Sequence, residues 1–180
     1  MAKGSGSYTD VEDFLNGQDT ARPQRREHHL PREAYRSAGA AFCVTRCARR
    51  HGEPFRDREL ASAVIEALQH RRKLGVWRVY AYCLMPDHLH AVVQLLPGAG
   101  GKPPRKDLLQ VMGEVGSFTT RQAWAVGLPG RLWQHDQYDR LLRNDREFDT
   151  RCRYVLNNPV RRGCVEDWSL WPYSGILDEW

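Results

Sequence analysis

The sequence predicts an α+β domain whose antiparallel sheet has a ferredoxin-like arrangement. Strand and helix patterns follow one another as strand, helix, strand, strand, helix, strand, helix. The two central strands are joined only by Pro86-Asp87, which is a tight connection typical of an antiparallel hairpin. No Gly-x-Gly-x-x-Gly motif follows a strand, so a parallel dinucleotide-binding sheet is not favoured. The last helix is an addition to the common pattern, and it carries a tyrosine discussed below.

The individual elements follow from periodicity, caps and breakers. Asp57 is the expected N-cap of the first helix, and Gly75 ends it. Pro159 stops the last helix, because proline cannot continue the hydrogen-bond ladder. The predicted strands and helices are strand 40–45, a helix after residue 57, strand 76–85, strand 88–95, helix 106–124, an extended stretch 132–142, and a helix beginning at 144 or 145.

The second strand has two distinct faces under strict alternation. One face holds Trp77, Val79, Ala81 and Cys83; the other holds Arg78, Tyr80 and Tyr82. The third strand divides more sharply. Its apolar positions Leu89, Ala91, Val93 and Leu95 share the face expected to meet the core, and the remaining face begins with His88 and His90.

Length and composition indicate one folded domain of a basic protein. The chain has 180 residues, and Lys plus Arg exceeds Asp plus Glu by 27 to 22, a net charge of +5. A basic balance favours a polyanionic partner. Five scattered cysteines without a Cys-x-x-Cys pair are typical of reduced thiols, so we expect a cytoplasmic protein, and no apolar run is long enough to span a membrane. Residues 1–37 are expected to form a flexible, partly basic arm, and residues 38–180 the domain.

His88 and His90 are candidate metal ligands. Two residues apart on a strand, their side chains point to the same side and lie about 6 to 7 Å apart along it. Two imidazoles on a rigid strand can hold a divalent cation and leave positions open for a substrate. A bare His-x-His is more often one buried histidine beside one surface histidine, so this motif needs a partner elsewhere in the chain.

Tyr154 and Asn158 supply that partner. Their i, i+4 spacing puts both on one face near the end of the last helix. An amide oxygen added to two imidazoles gives a mixed nitrogen and oxygen site without thiolate, which favours Mg²⁺ or Mn²⁺ over Zn²⁺. Such a cation can polarise a phosphoryl oxygen, and Tyr154 beside it is a candidate covalent nucleophile. Tyr138 is a second candidate, but it has no ligand four residues later.

Taken together, these motifs resemble the single-tyrosine HUH transposases, and within them the REP-associated tyrosine transposases. The resemblance covers about residues 35–175. The motifs that carry it are, in order, Met85-Pro86-Asp87-His88-Leu89-His90, Leu141-Leu142-Arg143, Tyr154-Val155-Leu156-Asn157-Asn158-Pro159-Val160-Arg161-Arg162-Gly163 and Trp171-Pro172-Tyr173-Ser174.

The resemblance implies an enzyme that cleaves and rejoins single-stranded DNA, often beside an imperfect hairpin. Tyr154 matches the tyrosine that attacks the scissile phosphate, keeps the 5′ side as a phosphotyrosine and frees a 3′ hydroxyl. His88 and His90 match the two histidine ligands, and Asn158 matches the third ligand. A bacterial protein associated with the nucleoid, acting as a monomer or homodimer in transposition or recombination, is implied as well.

Basic and aromatic side chains near the tyrosine are candidates for DNA contact. The arginines would neutralise phosphates, and the aromatic rings would stack on unpaired bases. These candidates are Arg140, Arg143, Arg151, Arg153, Arg161, Arg162, Trp133 and Tyr138. The alternative for the arginines is a solvated helix face paired with acids such as Glu147 and Asp149.

Two other functions remain open at this point. A domesticated relative could grip hairpin DNA without cutting it, although the complete set of candidate site residues favours retained chemistry. A phosphodiesterase acting on smaller substrates through His-x-His would leave Tyr154 and the arginines without a role.

Overall fold

The fold is a five-stranded antiparallel sheet with helices on both faces. A computed structural model describes residues 30–49 and 52–180. The helices and strands are β1 (Ala41–Cys47), α1 (Arg58–Lys73), β2 (Trp77–Leu84), β3 (His88–Leu95), α2 (Leu108–Ala125), β4 (Tyr138–Leu142), α3 (Asp145–Leu156), α4 (Asn158–Arg161) and β5 (Ser174–Gly175). The sheet order is β4-β1-β3-β2-β5, with every neighbouring pair antiparallel. The first four strands have the predicted ferredoxin-like arrangement, so the expected fold class is confirmed.

Local sequence signals explain where the helices begin. The Asp57 carboxylate accepts a hydrogen bond from the Leu60 backbone N–H, which is the predicted N-cap of α1. Asn144 caps α3 in the same way, by accepting from the Glu147 backbone N–H. These caps satisfy donors that the first helical turn leaves without a partner.

The two faces of the sheet bury different side chains. On one face α1 and α2 enclose the larger core, which includes Phe42, Leu89 and Ala91. On the opposite face α3 covers a smaller core, in which Val92 meets Cys152 and other α3 residues. The predicted division of β3 is therefore confirmed: the histidines of β3 lie on the face that α3 covers, opposite the larger core.

Strict alternation fails in β2 because of a bulge. The pairing of β2 with β3 shifts register between Val79 and Ala81. Beyond this point Ala81 and Cys83 join the core under α3, and Tyr82 joins the core under α1 and α2. The predicted faces are thus wrong for these three residues, since an extra residue in one strand reverses the orientation of those after it.

The packed domain begins before residue 38, the position at which the sequence predicts its start. Tyr35 is fully buried, and its hydroxyl donates a 2.6 Å hydrogen bond to the Asp139 carboxylate of β4. Leu30 packs against the same core. Residues 30–37 are therefore part of the domain; the rest of the predicted arm, residues 1–29, lies outside the described residues.

The aromatic C-terminal segment, residues 168–180, packs on the body. The Trp171 indole N–H donates to the Leu84 carbonyl at 2.9 Å. Ser174 and Gly175 then form β5, a fifth strand that the sequence did not predict, paired with Cys83 and Tyr82 of β2. No helix in the described part of the chain is long and apolar enough to cross a membrane.

Candidate active site

The predicted site lies where the start of β3 meets the C-terminal end of α3. Both histidines are buried, and their ring centroids are 4.6 Å apart. The ring of Tyr154, which extends from α3, has its centroid 6.3 Å from that of His90. The structure thus brings together the tyrosine and both histidines, which the sequence separates by more than sixty residues.

Each histidine is held through one ring nitrogen. His88 Nδ1 lies 2.6 Å from the carboxylate of Asp87. His90 Nδ1 lies 2.7 Å from the hydroxyl of Thr45, which stands opposite His90 in the pairing of β1 with β3. The other nitrogen of each ring, Nε2, is buried and has no hydrogen-bond partner among the described residues. Metal-binding histidines typically show this pattern, with one nitrogen oriented by a hydrogen bond and the other available.

The tyrosine and the asparagine have buried polar atoms of the same kind. The Tyr154 hydroxyl and the Asn158 side-chain nitrogen are both buried without a partner in the part of the chain that the structure describes. Buried polar groups are rarely left unsatisfied, and each one costs about 1 to 3 kcal/mol. Four such atoms lie on the four predicted site residues, where a polar ligand would satisfy them.

Asn158 is not on the same helix as Tyr154. The tyrosine helix α3 ends at Leu156, and Asn157 turns the chain with φ −78° and ψ 3°. Asn158 is the first residue of the short helix α4, with Pro159 in its first turn, where proline needs no hydrogen-bond donor. Pro159 predicts a helix that continues to residue 158, whereas α3 ends two residues earlier, at Leu156.

The site is electropositive, and His90 is neutral within it. Burial, the neighbouring His88 and the charge of Arg162 lower the pKa of His90 to about 3. The pKa of the Asp87 carboxyl group is lowered as well, chiefly by its hydrogen bond with His88, so this group is ionised. A neutral imidazole keeps a lone pair on one nitrogen, as binding a cation requires.

Two guanidinium groups face the ring of Tyr154. The Arg161 Cζ lies 4.4 Å from the ring centroid, and the Arg151 Cζ lies 5.8 Å from it. Other predicted DNA-contact arginines are in ion pairs: Arg140 with Glu147 at 2.7 Å, and Arg153 with Asp149 at 2.9 Å.

The two aromatic candidates differ in exposure. Tyr138 at the start of β4 is 53% exposed and is accessible for stacking. Trp133 is only 4% exposed, and its ring packs 5.0 Å from that of Phe55 while its indole N–H donates to the Thr119 hydroxyl. The prediction that Trp133 stacks on bases is therefore wrong, because that ring belongs to the core under α2.

Asp87 and Thr45 are the functional candidates that the sequence analysis missed. Asp87 precedes His88 directly, but an aspartate after proline in a turn is ordinary. Thr45 is distant in sequence and meets His90 only through strand pairing. No group of three or more His, Cys, Asp or Glu residues suited to a metal occurs in the described ranges, so a cation here would need a neutral ligand such as Asn158.

Comparison with known proteins supports the resemblance indicated by the motifs. No family model matches the chain. A protein of Haemophilus influenzae named as a REP-associated tyrosine transposase is 31% identical over 103 residues, which are 53% of this chain and 57% of that protein. The REP-associated tyrosine transposase of Escherichia coli is 26% identical over 98 residues, 54% of this chain and 53% of that protein. The chain therefore spans about half the length of the curated relatives it matches.

A solved structure shares the fold. It is that of a REP-associated tyrosine transposase bound to a REP hairpin, with a TM-score of 0.61, 22% identity and coverage of 81% of both chains. At this identity the likeness concerns the fold alone. The sequence matches and the shared fold together confirm the predicted resemblance: this chain is similar to REP-associated tyrosine transposases over about half of its length and shares their fold.

Proposed function

We propose that this protein cleaves and rejoins single-stranded DNA beside hairpin structures, using Tyr154 as the nucleophile. The observation that carries the proposal is the set of four buried, unpartnered polar atoms on His88, His90, Tyr154 and Asn158. These are the residues that the family motifs assign to the chemistry. A structural cluster would satisfy such atoms internally, whereas a reacting phosphate with its cation would satisfy them on binding.

The reaction is a transesterification at one phosphodiester. The Tyr154 oxygen attacks the phosphorus, and a new oxygen–phosphorus bond forms to the 5′ side of the DNA. The bond from phosphorus to the 3′ oxygen breaks, and the proton lost by the phenol is balanced by the one that the leaving 3′ oxygen gains. The reverse reaction, with the 3′ hydroxyl of another strand, rejoins the DNA and releases the tyrosine.

The cation proposed for this site is Mg²⁺ or Mn²⁺, bound by His88, His90 and Asn158. The buried Nε2 atoms of both histidines fit this assignment, as does the neutral state of His90. When bound, such a cation offsets negative charge that develops on the phosphoryl oxygens. The chain itself orients both imidazoles, keeps His90 neutral and holds the tyrosine beside them on a packed helix.

Charge around Tyr154 suits a phosphate in the same place. The guanidinium groups of Arg161 and Arg151 lie against its ring, and the charge of Arg162 acts on His90. Guanidinium groups bind phosphate oxygens through several N–H donors in a fixed geometry. We assign these three arginines to the scissile phosphate and its neighbours, and Arg140, Arg143 and Arg153 to the outer DNA path.

The choice of hairpin DNA rests on the relatives. The structural neighbour was solved with a REP hairpin, and the curated relatives bear the name of REP-associated transposases. The exposed ring of Tyr138 offers a stacking surface for an unpaired base. We expect binding to weaken as salt rises, since arginines displace counterions from the phosphates.

The proposed chemistry is tested with end-labelled hairpin single-stranded DNA, Mn²⁺ and denaturing electrophoresis. Wild type is expected to form a covalent protein–DNA adduct. Tyr154→Phe keeps the ring and removes one oxygen, so adduct formation should fall to background while the fold and DNA affinity persist. Tyr138→Phe is the matched control, because it removes the same atom from an exposed tyrosine, and it should react like wild type.

The alternative outcomes separate the possible functions. If wild type binds the hairpin but forms no adduct with any divalent cation, the protein is a binding module and the enzymatic proposal is rejected. If Tyr154→Phe still forms the adduct, the nucleophile is another residue. Equal affinity for hairpin and blunt duplex DNA would reject the proposed substrate.

A further inference from the structure

We propose that Asp87 and Thr45 are positioning residues that keep a proton on Nδ1 of His88 and of His90, so that both Nε2 lone pairs face the same space. The inference rests on the cation site of the proposed function, and it assigns that site two residues outside the motif ligands. It concerns the protein before any cation binds, so part of its test needs no cation.

The first contact is that of Asp87 with His88. The carboxylate oxygen lies 2.6 Å from Nδ1, and the ring is buried whereas the Asp87 side chain is 50% exposed. An ionised carboxylate only accepts hydrogen bonds, so Nδ1 must carry the proton. The other nitrogen of a neutral imidazole then has a lone pair, and Nε2 of His88 is the buried atom without a partner.

The second contact is that of Thr45 with His90. Thr45 on β1 is the cross-strand partner of His90 on β3, so both side chains stand on the face that α3 covers. Its hydroxyl oxygen lies 2.7 Å from Nδ1. Because a hydroxyl can donate or accept a hydrogen bond, the Thr45 contact alone does not show whether Nδ1 carries the proton. The surroundings of the other ring nitrogen, Nε2, decide this. A proton on Nε2 would be a buried donor without an acceptor, whereas a lone pair there can take a cation.

The two contacts also fix the relative orientation of the rings. The planes of the two imidazoles are 85° apart, with centroids separated by 4.6 Å. Rotation of either ring about its bond to Cβ would break its Nδ1 contact. Strand pairing places Thr45 against His90, and Asp87 lies against His88 because it directly precedes it in the chain. Together these two residues hold both imidazoles in one geometry before a cation binds.

Thr45 and Asp87 are expected to contribute about equally to cation affinity. Loss of an outer hydrogen bond to a metal-binding histidine typically lowers metal affinity about 10- to 100-fold. The charge of Asp87 makes its bond stronger, but solvent screens that charge because the side chain is half exposed. We expect about a tenfold loss of affinity for either single removal, and more for the pair.

The first test reads the tautomers directly by nitrogen NMR of histidine side chains at pH 8, without divalent cation. Signals are assigned with His88→Gln and His90→Gln. Wild type should show both rings protonated at Nδ1. Thr45→Val keeps the shape of the side chain and removes the hydroxyl, so the proton of His90 should move toward Nε2, and Asp87→Ala should do the same to His88. Thr45→Ser retains the hydroxyl and should restore the wild-type signal.

The second test measures Mn²⁺ affinity from the electron paramagnetic resonance signal of the free ion. Thr45→Val and Asp87→Ala should bind at least about tenfold more weakly than wild type, and Thr45→Ser nearly as tightly. Asp136→Ala is the matched control, because Asp136 forms the same kind of contact, 2.9 Å to Nδ1 of the exposed His135. Its affinity should equal that of wild type.

The outcomes distinguish this inference from the proposed function. Protonation of His88 or His90 at Nε2 in wild type overturns the inference whatever the enzyme does. Unchanged Mn²⁺ affinity in both Thr45→Val and Asp87→Ala also overturns it, while leaving the cation site intact. If wild type has both Nδ1 protons and loses them in the variants, yet binds no Mn²⁺, the inference stands and the proposed cation is rejected.

Discussion

The charge of Arg161 should contribute directly to the rate of DNA cleavage. Its Cζ lies 4.4 Å from the centroid of the Tyr154 ring, and the side chain belongs to an exposed residue. A phosphate charge placed beside Tyr154 at a similar distance, about 4 Å from this guanidinium, would interact with it by about 4 kcal/mol at an effective dielectric constant of 20, and by about 1 kcal/mol in water. Because the residue is exposed, we take a value of about 1.4 kcal/mol, which corresponds to a tenfold change in rate.

The assay is single-turnover cleavage of labelled hairpin DNA at saturating protein, which separates the chemical step from binding. Arg161→Ala should cleave about tenfold more slowly. Arg151→Ala should lose less, because its Cζ is 5.8 Å from the ring. Arg153→Ala is the control, since that side chain is 71% exposed and paired with Asp149. A loss for Arg153→Ala as large as that for Arg161→Ala would refute the reasoning from distance.

Three further predictions concern packing, base stacking and pH. Gly113→Ala should raise the free energy of unfolding by about 1 kcal/mol, because its Cβ would meet none of the described residues within 4 Å. Gly116→Ala should not, because its Cβ would lie 2.5 Å from a guanidinium group; urea titrations of the two variants test the difference. Tyr138→Ala should weaken single-strand binding by about 1 to 3 kcal/mol in a gel-shift titration, while Trp133→Phe should leave it unchanged and cost only folding stability. Without divalent cation, the free energy of unfolding should fall as pH drops below about 6.5, by at most about 1.4 kcal/mol per pH unit. The reason is that His90 takes up a proton in the unfolded chain, whereas in the folded protein its pKa of about 3 keeps it neutral. Urea unfolding at two pH values should show a smaller fall for His90→Gln.

The guanidinium group beside Gly116 explains why α2 has a glycine at that position. Two glycines within the predicted helix α2 are unfavourable for a helix, and the sequence does not say which is needed. In the fold, Arg46 of β1 reaches the helix at Gly116, donates to the Met112 carbonyl and lies over the Trp133 ring at 5.2 Å. Gly113 has no such neighbour in the part of the chain that the structure describes. The contact between β1 and α2, which are far apart along the chain, therefore decides which of the two glycines is needed.

Local patterns in the sequence were sufficient to predict the fold class and to single out histidine and tyrosine residues that the fold brings together. Asp57 and Asn144 each cap a helix through a backbone N–H three residues later. The alternation that places His88 and His90 on the face opposite the larger core is visible within one strand. Such signals depend only on neighbours along the chain, so they can be read without a tertiary structure. The resemblance to the tyrosine transposases rests on the same short motifs.

Tertiary structure alone decided the features that depend on pairing between distant segments. The bulge in β2 reversed the faces of Ala81, Tyr82 and Cys83, because register is a property of two strands and not of one. Trp133 proved to be core because α2 and Phe55 enclose it. Thr45 reached His90 only through the register of β1 with β3. Sequence patterns report which face a residue prefers, whereas long-range packing determines which atoms it touches there.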